Sequence, residues 1–271
     1  MREFPTRPLG DLDLFAAGLP CPPFSIAGQQ LGKDDERDLF PSALRLIEEW
    51  EPKAVLIENV RGFLSSGFQS YRRDLVLRLN RLGYEVNWRL YDAKDFGVPQ
   101  TRSRVTIVAM KSNYFRNFSF PEPSQSVAPS VGQVLLDLMS TNGWPLAKAW
   151  AKQADKVAPT IVGGSKKHGG PDLGPTRARA AWKTMSVNGS SIADDAPMVD
   201  FDGLPRLTTR MVARLQGFPD SWVFSGKKTA AYRQIGNAFP PPVAAAVARS
   251  IRDALDQGRM AARHSDSFAA E

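Results

Sequence analysis

The sequence is poor in the residues that build metal sites and disulfides. It has one cysteine, Cys21, and two histidines, His168 and His264, in 271 residues. One thiol excludes an intrachain disulfide, and these three residues cannot supply a four-ligand structural zinc site. No run of 18 apolar residues is present, so no membrane-spanning helix is expected. The start, Arg2-Glu3-Phe4-Pro5, has no apolar core of an export signal, and the chain is expected in the cytoplasm. A hydrolase built on Cys21 fits poorly, because it needs a positioned histidine and both histidines fall in loop or tail sequence.

What the chain has in excess is positive charge. Lys and Arg number 35 against 28 Asp and Glu, a net +7 that suits a polyanionic partner. Up to about residue 112, apolar strand-like runs alternate with helical stretches. Leu12–Ala17, Ala54–Ile57 and Tyr84–Leu90 read as strands, and Ala43–Ile47 and Leu75–Leu79 as helices. This is the pattern of a parallel α/β sheet, and the chain is long enough for one or two domains.

Three short segments carry candidate chemistry. Cys21 follows an apolar strand inside Leu19-Pro20-Cys21-Pro22-Pro23-Phe24-Ser25. Prolines stiffen that loop, and open α/β sheets bind ligands at the carboxyl ends of their strands. Taken alone, Cys21 reads first as a small buried hydrophobe, as most free cysteines are, and it is the surrounding residues that turn the reading toward a reactive thiol. Glu58 ends the apolar run Ala54–Ile57. A carboxyl group there is either the cap of a following helix or a partly desolvated acid whose neutral form is favoured. In Gln100-Thr101-Arg102-Ser103-Arg104, strand alternation places Gln100, Arg102 and Arg104 on one face. Two guanidiniums so placed are either a solvated edge or a fork for an anion or carbonyl, and the apolar continuation Val105–Met110 speaks against the edge.

Further motifs lie downstream. Arg206-Leu207-Thr208-Thr209-Arg210 leads into Leu215-Gln216-Gly217-Phe218-Pro219, where Gly217 is placed to end a helix over 208–216. Gln234-Ile235-Gly236-Asn237-Ala238 reads as a loop, followed by prolines and an apolar helix with Val243, Val247, Ile251 and Leu255 on one face. In this order and at these intervals the segments resemble the DNA cytosine-5 methyltransferases of bacterial restriction–modification systems, over about residues 11–256.

The resemblance implies a Rossmann-like S-adenosylmethionine-dependent methyltransferase sheet with a small, irregular target-recognition domain. It implies that Cys21 adds to C6 of a flipped cytosine, so that C5 takes the methyl group of S-adenosylmethionine. Glu58 then contacts N3 and the exocyclic amine, Arg104 holds O2, and Arg102 organises the same pocket and helps to polarise Cys21. Pro20, Leu39, Asn237 and Ala238 fall where family members touch the cofactor. Double-stranded DNA is the implied partner. Lys166, Lys167, Arg177, Arg179 and Lys183, in a basic, glycine-rich interval, are candidate DNA contacts. Asn59 is expected to shape the chain rather than take part in chemistry. Pro22 stands where many relatives have Gln.

The expected organisation is a partial catalytic domain over 1–115, a target-recognition region with its supporting helix over 116–230, a return to the catalytic domain over 231–257, and a disordered tail over 258–271. The family opens with a strand, a glycine-rich turn and two acidic residues for the cofactor, and this sequence shows none of them before Gly10. On that reading the sheet is amino-terminally truncated and the methyl-donor site incomplete. A second polypeptide supplying those strands, an upstream start, or a remnant that only binds DNA would each explain it.

Overall fold

The computed structural model describes residues 10–20, 39–124, 127–163 and 171–268. Cys21, Lys166 and Lys167, and with them the cysteine loop and the glycine-rich run, lie outside the described residues. The chain divides into two compact units. One comprises the chain up to Tyr91, Ser103–Glu122 and the chain from Ala245; the other comprises Asp92–Arg102 and Pro123–Ala244.

The first unit is built on a sheet. Strand β1 is Leu14–Gly18, helix α1 Phe40–Trp50, β2 Ala54–Val60, helix α2 Gln69–Arg81, β3 Tyr84–Asp92 and β4 Ser103–Lys111. The strand order is β1-β2-β4-β3. β1 pairs with β2 in parallel, Gly18 opposite Glu58, and β2 pairs with β4 antiparallel, Val60 opposite Arg104. The expected parallel sheet is therefore mixed. Only a short 3-10 helix, Ala93–Phe96, separates β3 from β4, too short for a parallel crossover, and β4 lies between β2 and β3 against the direction of β2.

Ala54–Ile57 of β2 is buried throughout, as an interior strand must be. Helix α1 covers the sheet with a stripe of Phe40, Ala43, Leu46 and Ile47. Pro41 in its first turn costs nothing there, and Pro52 bars it from continuing past Glu51, which stands in the left-handed region at φ 44°. α1, β2 and α2 share one apolar core with Phe63, Phe68 and Leu75.

A short helix, α3 (Ser112–Phe115), follows β4. The second unit then contributes α4 (Val131–Met139), α5 (Ala147–Gln153), α6 (Thr176–Lys183), α7 (Thr209–Leu215) and α8 (Lys228–Asn237), and a long helix, α9 (Pro241–Phe268), carries the chain back. α4 opens with a reciprocal cap between Ser130 and Gln133. α7 has the expected span, capped by the Thr208 hydroxyl and stopped at Gly217, whose φ of 88° only glycine adopts freely. The second unit has its own core, with Leu135, Trp150, Trp182, Met211 and Ile235 fully or almost fully buried.

Three expectations differ from this structure. The interval after residue 131 is irregular only in part: it carries the short helices α4, α5 and α6, whose apolar positions recur at helical spacing around Trp150 and Trp182, while residues 184–208 hold no helix. Asn237 and Ala238 are the last residue and the cap of α8, not a free loop. α9 continues past Gly258 to Phe268; Gly258 permits this by close approach, since a Cβ there would come within 2.4 Å of Tyr114.

Candidate active site

The carboxyl ends of β1 and β2 bring two of the candidate residues together within the first unit. Glu58 and Asn59 close the buried part of β2, and the Arg104 side chain comes from the start of β4 on the same sheet end. Glu58 Oε1 lies 2.6 Å from Arg104 Nε, and both side chains are only 12% exposed. Burial pulls the Arg104 pKa down, and the adjacent Glu58 charge opposes that shift. Arg104 also donates to the Ser103 carbonyl at 2.8 Å, which holds its planar head in one orientation.

Opposite Glu58 on β1 stands Gly18. A side chain there would begin 3.5 Å from Glu58 Oε2, so glycine leaves the carboxylate's flank open. Asn59 shapes the chain, as its position predicts. It is buried, donates to the Leu19 carbonyl at 3.1 Å, and accepts from the Val60 amide at 2.8 Å. The chain is thus pinned at Leu19, two residues before Cys21, beside the carboxylate. Pro20 is exposed, and Leu39 is half-buried at the start of α1.

Arg102 is placed differently from the expectation. Gln100 and Arg102 precede β4, and only Arg104 is on the strand, so the three do not share one strand face. Gln100 instead forms a bridge with Ala158, and the Thr101 amide donates to the Ala158 carbonyl. The Arg102 side chain, 1% exposed, donates to Ile161 O at 2.7 Å, Gly236 O at 2.8 Å and Ala238 O at 3.1 Å. Gly236 lies in the last turn of α8. Its helical partner would be the amide of residue 240, a proline, so Arg102 supplies a donor the helix cannot. A guanidinium at a helix carboxyl terminus also meets the negative end of the dipole.

Around Arg102 the second unit builds a buried polar knot. Gln100 donates to Gln216 Oε1 at 2.7 Å and to Leu215 O at 3.2 Å, and accepts from the Ile161 amide at 2.9 Å. Gln216 in turn donates to Ala238 O at 2.8 Å. Four chain segments are joined here, and the backbones of two touch directly. A Cβ on Gly236 would sit 2.4 Å from Gly163 Cα and N. Gln216 is the member that sequence reasoning treated only as part of a supporting motif; its signal was a glutamine in an otherwise apolar helix end.

Asn237 is exposed, and Ala238 is held by its carbonyl in the knot. Arg177, Arg179 and Lys183 are exposed on α6. The structure therefore pairs Glu58 with Arg104 in one unit and Arg102 with Ala238 in the other. Among the described residues no cluster of three metal-capable side chains occurs, and no helix is long and apolar enough to cross a membrane.

The strand-end carboxylate, the arginine against it and the strand that leads to Cys21 lie in the segments by which the sequence resembles one family. The chain belongs to the C-5 cytosine-specific DNA methylases, whose family model matches residues 2–253. It is similar to the type II methyltransferase M.NaeI of Lentzea aerocolonigenes, with 52% identity over 97% of this chain and 64% of that protein. It is also similar to M.NgoMIV of Neisseria gonorrhoeae, with 49% identity over 94% of this chain and 82% of that protein. The chain thus spans just under two thirds of the former's length. Among solved structures, an Entamoeba histolytica methyltransferase, EhMeth, shares the fold at a TM-score of 0.58 and 18% identity, covering 90% of this chain and 78% of that one. A Spodoptera frugiperda DNMT2 mutant does so at 0.55 and 16%, covering 88% and 79%.

Proposed function

We propose that this protein transfers a methyl group to C5 of a cytosine flipped out of duplex DNA. The observation that carries the reading is the Glu58–Arg104 pair at the sheet end from which β1 leads to Cys21. C5 of cytosine is too weakly nucleophilic to take a methyl group unaided. The Cys21 thiolate adds to C6, breaking the C5–C6 double bond and making C5 enamine-like. Glu58 faces N3 and the exocyclic amine and steadies the ring as electron density moves onto it. Arg104, fixed through Glu58 and Ser103, donates to O2. Loss of the C5 proton then re-forms the double bond and expels the thiolate.

S-adenosylmethionine supplies the electrophilic methyl group. Pro20, Leu39, Asn237 and Ala238 are the residues that the family resemblance assigns to it. Asn237 suits this part, because its side chain is exposed at a helix end whose backbone is held by Arg102 and Gln216. In this reading Arg102 is a positioning residue rather than a contact to the base, since both Nη1 and Nη2 donate to backbone carbonyls.

The experiment is methyl transfer from labelled S-adenosylmethionine to unmethylated duplex DNA, with Cys21→Ser as the blank. Transfer by the wild-type chain, lost in Cys21→Ser, is the expected result. A duplex carrying 5-fluorocytosine should then trap the chain covalently, because fluorine cannot leave C5 as a proton does. Transfer that survives Cys21→Ser would overturn the adduct. DNA binding without transfer would favour the alternative, a DNA-binding polypeptide that needs a further segment or subunit for the cofactor.

A further inference from the structure

Within the second unit, α5 and α6 carry a run of unneutralised cations. Lys148 and Lys152 lie four residues apart on the exposed side of α5, whose other side buries Ala147 and Trp150. Lys156 follows, also exposed, and Arg177, Arg179 and Lys183 stand out from α6. None of these six forms an ion pair among the described residues, and Asp155 is the one carboxylate within the α5 run from Lys148 to Lys156. Some other cations of this unit are partnered. Arg214 holds Asp137 and Asp220, and Lys228 holds Asp194. Like charges left together repel one another, and a bound polyanion relieves that repulsion.

The six are also gathered by the fold. The Ser186 hydroxyl, just past α6, donates to Gln153 Oε1 at the end of α5 at 2.6 Å. Between the segment that follows α5 and the end of α6 lies a cleft of about 370 Å³ lined by Lys156, Thr160, Ala181, Thr184 and Thr101. Arg177 is four residues before Ala181 and seven before Thr184, so it shares the α6 face that borders the cleft. Thr101 ties the cleft to the knot, because the chain enters Arg102 directly from it and pairs there with Ala158.

We infer that this cleft is a phosphate clamp. Lys156 and Arg177 grip one backbone phosphate of the DNA, and Lys152 and Lys183 extend the track along the same strand. The inference rests on the methyltransferase reading only for the identity of the polyanion as DNA. It adds Lys152 and Lys156, on α5 and just beyond it, to the α6 residues that the sequence suggested. A clamp beside Thr101 and Arg102 positions the duplex without reading its sequence.

The test is salt-dependent binding of a fluorescent duplex to the full chain, followed by anisotropy between about 50 and 200 mM salt. Each phosphate contact contributes about 0.9 to the slope of log affinity against log salt, so Lys156→Gln with Arg177→Gln, which together release one phosphate, should lower the slope by about 0.9. Lys156→Arg with Arg177→Lys should restore it, which separates loss of charge from loss of fold. Arg45→Gln with Arg252→Gln, exposed positions in the other unit, should leave it unchanged. An unchanged slope in the glutamine pair, with salt-sensitive binding intact, would overturn the clamp while leaving the methyltransferase reading standing. Absent methyl transfer with the slope still falling would sink that reading and leave the clamp. No duplex binding at all would overturn the clamp, as would binding to anionic vesicles that outcompetes the duplex and depends on the same two residues.

Discussion

Replacing Arg102 with methionine keeps the unbranched stem and removes the guanidinium. Three carbonyls then lose a donor, but not equally. Ala238 O keeps its bond from Gln216, whereas Ile161 O and Gly236 O lose the bonds Arg102 donates, and Pro240 has no N–H to offer the latter. Each unmet buried carbonyl costs about 1–3 kcal/mol. The variant also escapes the cost of burying a charged head group, which offsets part of the loss, so a net destabilisation of about 2–4 kcal/mol is expected. Arg102→Lys should fall between, because one ammonium cannot reproduce a planar fork over two carbonyls. Urea unfolding with a fixed m-value reads the total. Hydrogen exchange followed by mass spectrometry reads the place: protection should fall first in peptides covering 158–163 and 234–239. A loss under about 1 kcal/mol would refute the reasoning, because unsatisfied buried carbonyls cannot be that cheap. So would exchange that rises uniformly over β2 and β4 as well.

Three further outcomes follow from the same geometry. Gly236→Ala drives a Cβ into the Gly163 backbone and should cost about 1–3 kcal/mol in urea unfolding, whereas Gly67→Ala, which meets nothing, should be near neutral. Glu58→Gln keeps the shape and removes the charge facing Arg104; methyl transfer should drop at least about 100-fold with duplex binding retained, and undiminished transfer would remove Glu58 from the chemistry. The bonds of Arg214 to Asp137 and Asp220 hold both carboxyl groups below the usual range. Depressed carboxylates stabilise above the unfolded value of about 3.9 and lose that stabilisation as pH falls through their folded values. The acid limb of wild-type stability should therefore flatten in Arg214→Gln, modestly because both carboxylates are largely exposed. An unchanged limb in acid-titrated unfolding would show that the pairs contribute nothing.

Much of this protein was legible in its order of residues. The strand leading to Cys21, the strand ending in Glu58, the span of α7 with its stop at Gly217, and the family itself could all be read from apolar runs and short motifs, because those features are local. A fully apolar run has to be interior, and a glycine in the left-handed region has to end a helix. The motif at 100–104 shows where locality ends. Alternation predicted one strand with Gln100, Arg102 and Arg104 side by side, but β4 begins only at Ser103. The partners that redirect Gln100 and Arg102 are residues 161, 216, 236 and 238. No pattern within a window of a few residues can announce carbonyls that arrive from 59 to 136 positions away. The same limit hid the direction of β4, since a strand's sense depends on which neighbour it joins, and it hid the cleft that Lys156 borders. Sequence by itself determined the family and which side chains are candidates for its chemistry. Tertiary structure alone decided that Arg104 is the arginine set against Glu58, while Arg102 is spent on holding the backbone, because the fate of a buried donor is decided by the acceptors that surround it.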